Sequence, residues 1–236
     1  MDADYLLKNH SNDMVELERM VRTIIETPTG NDFIIFEIRD TEVIAEHRKY
    51  NGVRVNLIGF IKNTRTPFSI DFGIGDVVVP PPSKQTLPVL LSDFEKPGVL
   101  TYSLESIIAE KFDAIISHME LSSRMKDFFD IYYLASTCNF EGRKLQEALF
   151  ETLQNRGTPF ERDLLEQLEG LLNDKDMITR WNSFGRKILK LHLDLSEVLE
   201  LIVRFIKPPF EAMLNEDECF EAWNAKMKAY VSLKRF

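Results

Sequence analysis

Residues 103–135 restrict the fold of this chain most, because they carry charges on faces that otherwise belong to a hydrophobic core. Apolar residues recur at helical spacing in two runs and predict two helices, joined at residues 119–123. Lys111 lies on the apolar face of the first predicted helix, and Asp127 and Asp130 lie on that of the second. A charge on a buried face is expensive unless a partner or a ligand compensates it.

Two interpretations of these charges are open from the sequence. Lys111 and the two aspartates can pair with one another across the helix hairpin, or extend along the apolar surface to reach water. Alternatively they face a ligand, and the presence of three such residues in one hairpin favours this interpretation. Ser103 is the predicted N-cap of the first helix, since its hydroxyl can accept a hydrogen bond from a free amide of the first turn.

The composition is that of a globular protein with one large domain or two small ones: 236 residues, 44% hydrophobic and 28% charged. The formal net charge of −9 argues against bulk electrostatic binding of nucleic acid but permits a local basic groove. The sequence has two cysteines without metal-ligand spacing, an acidic N-terminal segment unlike a signal peptide, and no long apolar run. These features predict a cytoplasmic protein that does not enter the membrane.

Three aspartates of the N-terminal part lie on predicted strands. Asp2 and Asp4 alternate along one strand and therefore point to the same face, which suits a divalent cation. The alternative for this pair is an acidic terminus that frays. Asp71 lies within an otherwise apolar strand, where it could cap a loop, pair with an arginine such as Arg54 or Arg65, or complete a metal site with the other two aspartates.

The N-terminal part is predicted to be α+β. Ser11 or Asn12 is expected to cap a helix that ends near Thr27, and the apolar run 33–36 is typical of a buried strand. A turn signal at 50–52 separates the next strands, the last two of which should pair antiparallel. The predicted strands are 33–39, 53–62, 67–73 and a short edge strand at 88–91.

The chain after Asn139 is helical by pattern, with predicted helices at about 143–155, 160–172, 176–191, 195–206 and 216–233. Pro208 and Pro209 are expected to end the fourth of these helices, since proline lacks the amide hydrogen that a helix interior needs. The apolar stripe of the last helix is formed by Phe220, Trp223, Met227 and Tyr230 or Val231. The predicted architecture is an α+β domain, residues 1–100, followed by a helical domain, residues 101–236.

Together these residues fit phosphoryl-transfer chemistry. Carboxylates on adjacent strands can hold two divalent ions, and Mg²⁺ favours such ligands and also binds substrate phosphates. The carboxylates in question are Asp2, Asp4 and Asp71. Lys111 would neutralise a triphosphate as a point charge. The spacing of these residues leaves transfer and hydrolysis equally open.

Two further cations accompany the second predicted helix. Arg124 and Lys126 either add phosphate contacts or pair at helical spacing with Asp127 and Asp130. Either role would leave these side chains close to the inward-facing aspartates. The sequence does not decide between the two roles.

Several separated motifs resemble the AbiEii/AbiGii family, the nucleotidyltransferase toxins of abortive-infection toxin–antitoxin systems. The clearest are Tyr-Ser-Leu-Glu-Ser-Ile-Ile-Ala-Glu-Lys at 102–111 and Ser-Arg-Met-Lys-Asp-Phe-Phe-Asp-Ile at 123–131. The stretches 52–55 and 70–76 are similar to the central sheet of that family. The likeness covers about residues 1–152, and its motifs occur in order.

The resemblance implies a nucleotidyltransferase fold like that of DNA polymerase β, Mg²⁺, a nucleoside triphosphate (NTP) as donor, the acceptor end of tRNA as substrate, and a cognate antitoxin as partner. It assigns the metal ligands to Asp2, Asp4 and Asp71. It assigns the catalytic and NTP-binding motifs to Lys111, Arg124, Lys126, Asp127 and Asp130. Either of the last two aspartates then acts in proton transfer or positions the lysine.

The family also has a Gly-Ser or Gly-Gly-Thr element ahead of its Asp-x-Asp motif. This sequence begins at that motif and contains no Gly-Ser or Gly-Gly dipeptide, so we interpret it as an N-terminally truncated member. Two alternatives to the transferase remain. One is a catalytically impaired member that acts as a binding module, and the other is a metal-dependent phosphodiesterase that uses the same carboxylates.

Overall fold

The computed structural model of the chain describes residues 2–8, 10, 11, 13–30, 33–44 and 52–232. Its internal contacts divide the chain into two units, Met1–Asp76 and Val77–Phe236. This division lies ahead of residue 100, near which the sequence pattern changes from mixed to helical. The first unit is α+β with a mixed sheet and the second is predominantly helical, which is the fold class that the sequence predicts.

The first unit is a four-stranded sheet with one helix. Its elements are β1 (Asp2–Leu7), α1 (Met14–Ile25), β2 (Ile35–Ile44), β3 (Gly52–Ile61) and β4 (Thr64–Ile74). The strand order is β1-β4-β3-β2, in which β1 and β4 run parallel and the other neighbours pair antiparallel. The predicted antiparallel pairing of the last two strands is therefore confirmed.

The core of the first unit lies between α1 and one face of the sheet. Residues of β3 alternate between buried and half-buried, so that Val53, Val55 and Leu57 lie on one face. These three residues pack in one cluster with Leu17 and Val21 of α1. Because side chains alternate along a strand, the opposite face of the sheet carries the polar residues between them.

The predicted cap of α1 is wrong. Asp13 caps the helix, and its carboxylate accepts a hydrogen bond from the amide of Glu16 (2.9 Å). Ser11 instead accepts a hydrogen bond from the amide of Asp13 (3.0 Å). Asn12, the other predicted cap, lies outside the described residues.

The prediction of a buried strand at 33–36 is also wrong. Phe33 is 81% exposed and Ile35 is 63% exposed. Among the described strands, β2 has a neighbour on one side only, and an edge position leaves an apolar run accessible to solvent. The predicted turn at 50–52 lies outside the described residues except for its last position.

The second unit is built from six helices and two small antiparallel sheets in its described part. Its elements are β5 (Ser83–Thr86), β6 (Gly98–Thr101), α2 (Leu104–Ile116), α3 (Met125–Thr137), β7 (Phe140–Glu141), α4 (Gly142–Arg156), α5 (Leu164–Gly170), α6 (Lys175–Phe184), α7 (Leu195–Leu214), β8 (Glu221–Asn224) and β9 (Ala229–Ser232). β5 pairs with β6, and the second sheet has the order β7-β8-β9. Helices α2 to α7 lie where the sequence predicts helices, with shifted ends.

The predicted edge strand at 88–91 is wrong. These residues have no strand conformation, and the strand lies earlier, in β5. β5 pairs with β6 from Ser83 opposite Thr101 to Thr86 opposite Gly98. Leu90 is fully exposed in the connection, so its apolar side chain contributes nothing to a core.

Helix α7 continues through two prolines that were expected to end it. It runs to Leu214 with Pro208 and Pro209 inside it. A proline at position 209 has no amide hydrogen to donate to the carbonyl of Phe205 one turn earlier. The hydroxyl of Tyr230 donates to that carbonyl instead (2.8 Å), so the buried acceptor is satisfied from another element.

Residues 221–232 form a hairpin and not the predicted helix. Trp223 of β8 lies opposite Tyr230 of β9. The buried indole of Trp223 packs against Phe205, with 5.0 Å between ring centroids, and its Nε1 donates to the carbonyl of Ala135 (2.7 Å). Burial of one large aromatic residue against α7 and α3 thus outweighs the helical spacing of the segment.

Candidate functional site

The candidate site lies on α2 and α3, and the start of α2 is fixed by polar contacts. Ser103 accepts a hydrogen bond from the amide of Ser106 (3.1 Å) and caps α2, as predicted. The buried hydroxyl of Ser106 donates to the carbonyl of Val79 (2.8 Å) and accepts from the amide of the same residue (3.0 Å). The first turn of α2 is therefore attached to the beginning of the second unit.

Each of the two helices buries one apolar face. Phe112 and Ile115 of α2 and Phe128 and Ile131 of α3 are fully buried in the same core. Asp127 lies in the first turn of α3, where the helix dipole favours a carboxylate. The packing of these faces brings the charged residues between them into contact.

Lys111 reaches both predicted aspartates of α3. Its Nζ donates to Oδ1 of Asp127 (3.0 Å) and to Oδ2 of Asp130 (2.5 Å). The Nε of Arg124 donates to the other oxygen of Asp127, whose side chain is only 4% exposed. We call these four residues the lysine–carboxylate cluster.

The interpretation that Lys111 and the two aspartates pair across the hairpin is confirmed. Arg124 pairs with Asp127 at helical spacing, which is one of the two roles predicted for it. Lys126 is exposed on the first turn of α3 and takes no part in the described contacts of the cluster. A second function for the cluster, the binding of a ligand, stays a prediction.

The cluster keeps Lys111 charged. Burial alone would lower the pKa of Lys111, but the hydrogen bond to Asp130 and the charge and hydrogen bond of Asp127 outweigh it. The pKa of Lys111 is therefore raised above its usual value of 10.5. A lysine that stays protonated at neutral pH is no general base, but it can bind an anion as a point charge.

A second ion cluster lies on both sides of Lys111 along α2. Arg156, at the end of α4, donates to Asp113 (2.8 Å) and approaches Glu110 (3.4 Å). The hydroxyl of Thr158 donates to the same carboxylate of Asp113. Sequence reasoning missed these residues, although Asp113 is an acid within an apolar run, which is the signal that singled out Lys111. These contacts attach the Lys111 turn of α2 to α4.

In the first unit, Asp71 of β4 is held by Arg54 of β3. The Nε of Arg54 donates to Oδ1 of Asp71 and its Nη2 donates to Oδ2, both at 2.7 Å. The predicted pairing of Asp71 with an arginine is therefore confirmed. Asp4 is the register partner of Asp71 in the parallel pair, so both side chains leave the same face of strands roughly 4.8 Å apart.

The donor chemistry of these aspartates fits Mg²⁺. Asp4 and Asp71 offer hard carboxylate oxygens, and Asp71 has lone pairs beyond those that Arg54 occupies. Asp2 lies two residues before Asp4 in β1, and its side chain lies outside the described part of the structure. Within the described residues, no group of three or more His, Cys, Asp or Glu side chains surrounds one metal position. The metal ligands therefore stay a prediction.

The first unit is a mixed-sheet α+β fold and the second is helical, and a comparison with protein families identifies the class of protein. The sequence matches the family described as nucleotidyl transferase AbiEii toxin of type IV toxin–antitoxin systems over residues 1–216. The chain belongs to this AbiEii toxin family. The resemblance predicted from the motifs is thereby confirmed, and the match extends well beyond residue 152.

Two solved structures are similar to this chain at low sequence identity. The crystal structure of JHP933 from Helicobacter pylori is 16% identical, with a TM-score of 0.45, and the alignment covers 91% of this chain and 77% of that chain. A Helicobacter pylori protein described as a candidate nucleotidyltransferase is 16% identical, with a TM-score of 0.47 and coverage of 92% and 80%. A search of curated protein sequences gave no match. Among the helices of the described residues, none has both the length and the apolar character to cross a bilayer.

Proposed function

We propose that this protein is the nucleotidyltransferase toxin of a toxin–antitoxin system and that it transfers a nucleotide from an NTP to an RNA acceptor. The general kind of activity follows from membership of the family. The observation that supports transfer by this chain is the cluster in which Lys111 is held charged between Asp127 and Asp130. A fixed cation is what the phosphates of a transferred nucleotide require.

Lys111 acts in this proposal through its charge. Its ammonium group has three N–H donors, and two of them are used by Asp127 and Asp130. The third is available to a phosphate oxygen. Asp127 is buried and also holds Arg124, so it positions the lysine, whereas Asp130 is the more exposed of the two carboxylates.

Arg124 supplies a second cation to the same substrate. Only its Nε bonds Asp127, and its side chain is 51% exposed. The remaining N–H groups of a guanidinium can bind a phosphate in a bidentate manner. Lys126 is exposed two residues further along and adds positive charge without a fixed position.

Mg²⁺ enters the proposal through the aspartates of the first unit. Asp4 and Asp71 would hold it, and Asp2 is the third ligand that the family resemblance implies. When bound, the ion would neutralise phosphate charge and increase the acidity of the attacking hydroxyl. Arg54 would keep the Asp71 carboxylate in one orientation.

The acceptor in this proposal is tRNA, because the motif resemblance points to toxins that act on tRNA acceptor ends. A cognate antitoxin would then restrain the activity, as membership of a type IV toxin–antitoxin family suggests. We place the activity in the cytoplasm, where NTPs and tRNA are both available.

The test is label transfer from each of the four α-labelled NTPs to bulk bacterial tRNA, with and without Mg²⁺. Lys111→Met is expected to reduce the rate at least about 100-fold, because it removes a fixed charge from the phosphates. Lys144→Met is the matched control, since Lys144 pairs with Glu141 on the surface of the same unit (2.7 Å). The control is expected to keep the wild-type rate.

Three results would contradict the proposal. The first is absence of transfer from every NTP by folded wild-type protein, which favours a binding module. The second is cleavage of RNA without any NTP, which favours a phosphodiesterase. The third is equal activity of the Lys111→Met variant and the wild type.

A further inference from the structure

One segment of the helical unit departs from the acidic character of the chain. Residues 177–193 contain the basic residues Arg180, Arg186, Lys187 and Lys190 together with His192, and no Asp or Glu. The whole chain has 38 acidic residues against 29 basic ones. An acid-free basic segment in such a chain is therefore a local reversal of charge, of the kind that binds polyanions.

This segment forms the wall of a cleft of about 870 Å³. Asn182 and Arg186 line the cleft from the helical side, and Lys190 and His192 line it from the loop that follows. The chain reverses direction at Lys190, which has a left-handed conformation with φ of 55° after the π-helical turn Gly185–Leu189.

The loop that closes the cleft is attached to α6. The indole Nε1 of Trp181 donates to the carbonyl of Leu193 (2.7 Å), and the Trp181 side chain is buried. The Nε of Arg186 donates to the carbonyl of Asn182 (3.3 Å), which holds this guanidinium against its own helix. The loop side of the cleft is thus attached to the helical side through Trp181 and Leu193.

Three cations at or beside the cleft are exposed, whereas the ring of His192, which also lines it, lies 3.7 Å from the carboxylate of Asp194. Arg186, Lys187 and Lys190 are all exposed, and in the described part of the chain none of the three forms an ion pair with a carboxylate. By contrast, three cations elsewhere in the same unit each lie within 4.0 Å of a glutamate: Arg143 of Glu218, Lys144 of Glu141 and Lys207 of Glu211.

The lining of the cleft suits a phosphate chain better than a single nucleotide. A site that recognises a base needs buried polar groups that fix its orientation. Only Trp181 and Gly185 are buried among the lining residues, and the indole N–H is already used by Leu193. Exposed cations on long side chains instead bind a polyanion through its charge.

The cleft is connected by direct packing to the helix that carries the candidate site. Phe184 at the end of α6 packs against Phe129 of α3, with 6.4 Å between ring centroids, and also against Trp181 (5.7 Å). Phe129 lies between Asp127 and Asp130 in the sequence. A polyanion held in the cleft would therefore be bound next to elements that position the lysine–carboxylate cluster.

We propose that the cleft lined by Asn182, Arg186, Lys190 and His192 binds the phosphate backbone of the RNA acceptor, with Lys187 beside it. This inference rests on the proposed function, because it assigns the RNA to this face of the helical unit. Its role is to hold the acceptor and not to react with it.

The test measures binding of fluorescently labelled bulk tRNA at several KCl concentrations, without NTP. The variant R186Q/K187Q/K190Q is expected to bind at least about tenfold more weakly than the wild type near 0.1 M salt. Its slope of log Kd against log salt is expected to fall by about 2 to 3, since each phosphate contact contributes about 0.7 to 0.9. A matched control, R143Q/K144Q/K207Q, removes the same charge from cations that are already paired, and it is expected to bind like the wild type.

The outcomes separate this inference from the proposed function. If the cleft variant and the control variant lose affinity equally, net charge alone governs binding and the inference is wrong. It is also wrong if inorganic triphosphate at micromolar concentration displaces tRNA from Lys111→Met as well as from the wild type, because the cleft and not the lysine–carboxylate cluster is then the triphosphate site. If the wild type transfers nucleotides but the cleft variant binds tRNA as tightly as the wild type does, the inference is wrong and the proposed function stands. If the cleft variant but not the control variant loses affinity for tRNA, while the wild type transfers no nucleotide, the proposed transferase activity is wrong and the assignment of the cleft stands.

Discussion

Each unit of the chain places an aspartate beside a cation, but the two arrangements depend on different parts of the structure. In the first unit, Arg54 and Asp71 are cross-strand partners, so the register of two adjacent strands creates the pair. In the second unit, Lys111 and Asp127 come from two helices, so the pair exists only when those helices pack. The arginine side chain of the first pair is 36% exposed, whereas Asp127 is almost completely buried.

This difference predicts that breaking the two pairs will lower the stability of the protein by unequal amounts. A cation at the surface, such as Arg54, is hydrated when its partner is removed, so the loss of stability is small. A half-buried charge such as Lys111, whose side chain is 21% exposed, is hydrated less completely, and the loss of stability is larger. The lysine–carboxylate cluster should therefore couple the chemistry of the site to the stability of the helical unit, and the sheet pair should not.

The largest expected effect is that of Asp127→Ala, which leaves Lys111 and Arg124 without their shared buried partner. Lys111 keeps its bond to Asp130 and Arg124 is half exposed, so the loss comes from the two hydrogen bonds of Asp127 to charged donors and from the space that its side chain leaves. We expect the free energy of unfolding of the second unit to fall by about 2 to 4 kcal/mol. Urea denaturation followed by tryptophan fluorescence measures this, since Trp181 and Trp223 both lie in the second unit. Asp130→Ala is the comparison, and because Asp130 is more exposed its effect should be smaller. Equal effects would mean that burial of Asp127 is not the cause.

A second change tests how much stability the helical unit loses when a buried hydrogen bond between uncharged groups is removed. Tyr230→Phe leaves the carbonyl of Phe205 without a donor, and we expect a loss of about 1 to 3 kcal/mol in the same denaturation experiment. Pro209→Ala supplies an amide that can donate to this carbonyl. In the Pro209→Ala background, Tyr230→Phe should therefore have a smaller effect, and an undiminished effect would refute this account of the helix.

The corresponding change in the sheet is Asp71→Ala, for which we expect a loss of only about 1 kcal/mol, because Arg54 can be hydrated. The first unit contains no tryptophan, so the measurement is amide hydrogen exchange in peptides that cover β3 and β4. Asp40→Ala in β2 is the control, since Asp40 is exposed, accepts from the neutral Asn56 and lies 3.5 Å from Arg39, which is itself exposed. If Asp71→Ala lowers stability as much as Asp127→Ala does, the exposed pair of the first unit is as important for stability as the buried cluster of the second, and the proposed difference between the units is wrong.

The smallest expected effect is a dependence on pH. The pKa of Lys111 is raised in the folded protein, so the stabilisation by its charge is complete below the unfolded value of 10.5. It is then lost as the pH rises through the still higher pKa of the folded state. The difference in unfolding free energy between the wild type and Lys111→Met should be constant from about pH 7 to 9 and should narrow above about 10.5. A difference that already narrows between pH 7 and 9 would indicate a lowered pKa and an unpaired lysine.

The sequence predicts the lysine–carboxylate cluster well because its information is local. Helical spacing alone places Lys111 and Asp127 on apolar faces, and opposite charges on facing helices have few other partners. Sequence reasoning could not give the second cluster in the same way. Arg156 is the last residue of α4 and Thr158 follows that helix, so their contact with Asp113 depends on how α4 packs against α2.

The errors at the end of the chain have a physical cause of the same kind. The spacing of Trp223, Met227 and Tyr230 suits a helix, and the turn between β8 and β9 contains no glycine to indicate a hairpin. That turn instead uses Lys228 at φ of 49° and a hydrogen bond from the amide of Met227 to the side chain of Asn224 (3.1 Å). Burial of Trp223 decides the conformation, and burial is not visible in the local pattern.

The parallel pairing of β1 has a consequence for how ligand binding can be observed. Among the described strands, β1 contacts only β4, so its six residues can open locally without unfolding the sheet. A ligand that bridges Asp4 and Asp71 must close this opening, and it adds RT ln(1 + [L]/Kd) to the opening free energy. The hydrogen-exchange rate of the β1 amides therefore reports how much of the protein has ligand bound. Exchange of these amides slows as the ligand binds, while exchange of the β3 amides in the middle of the sheet stays unchanged.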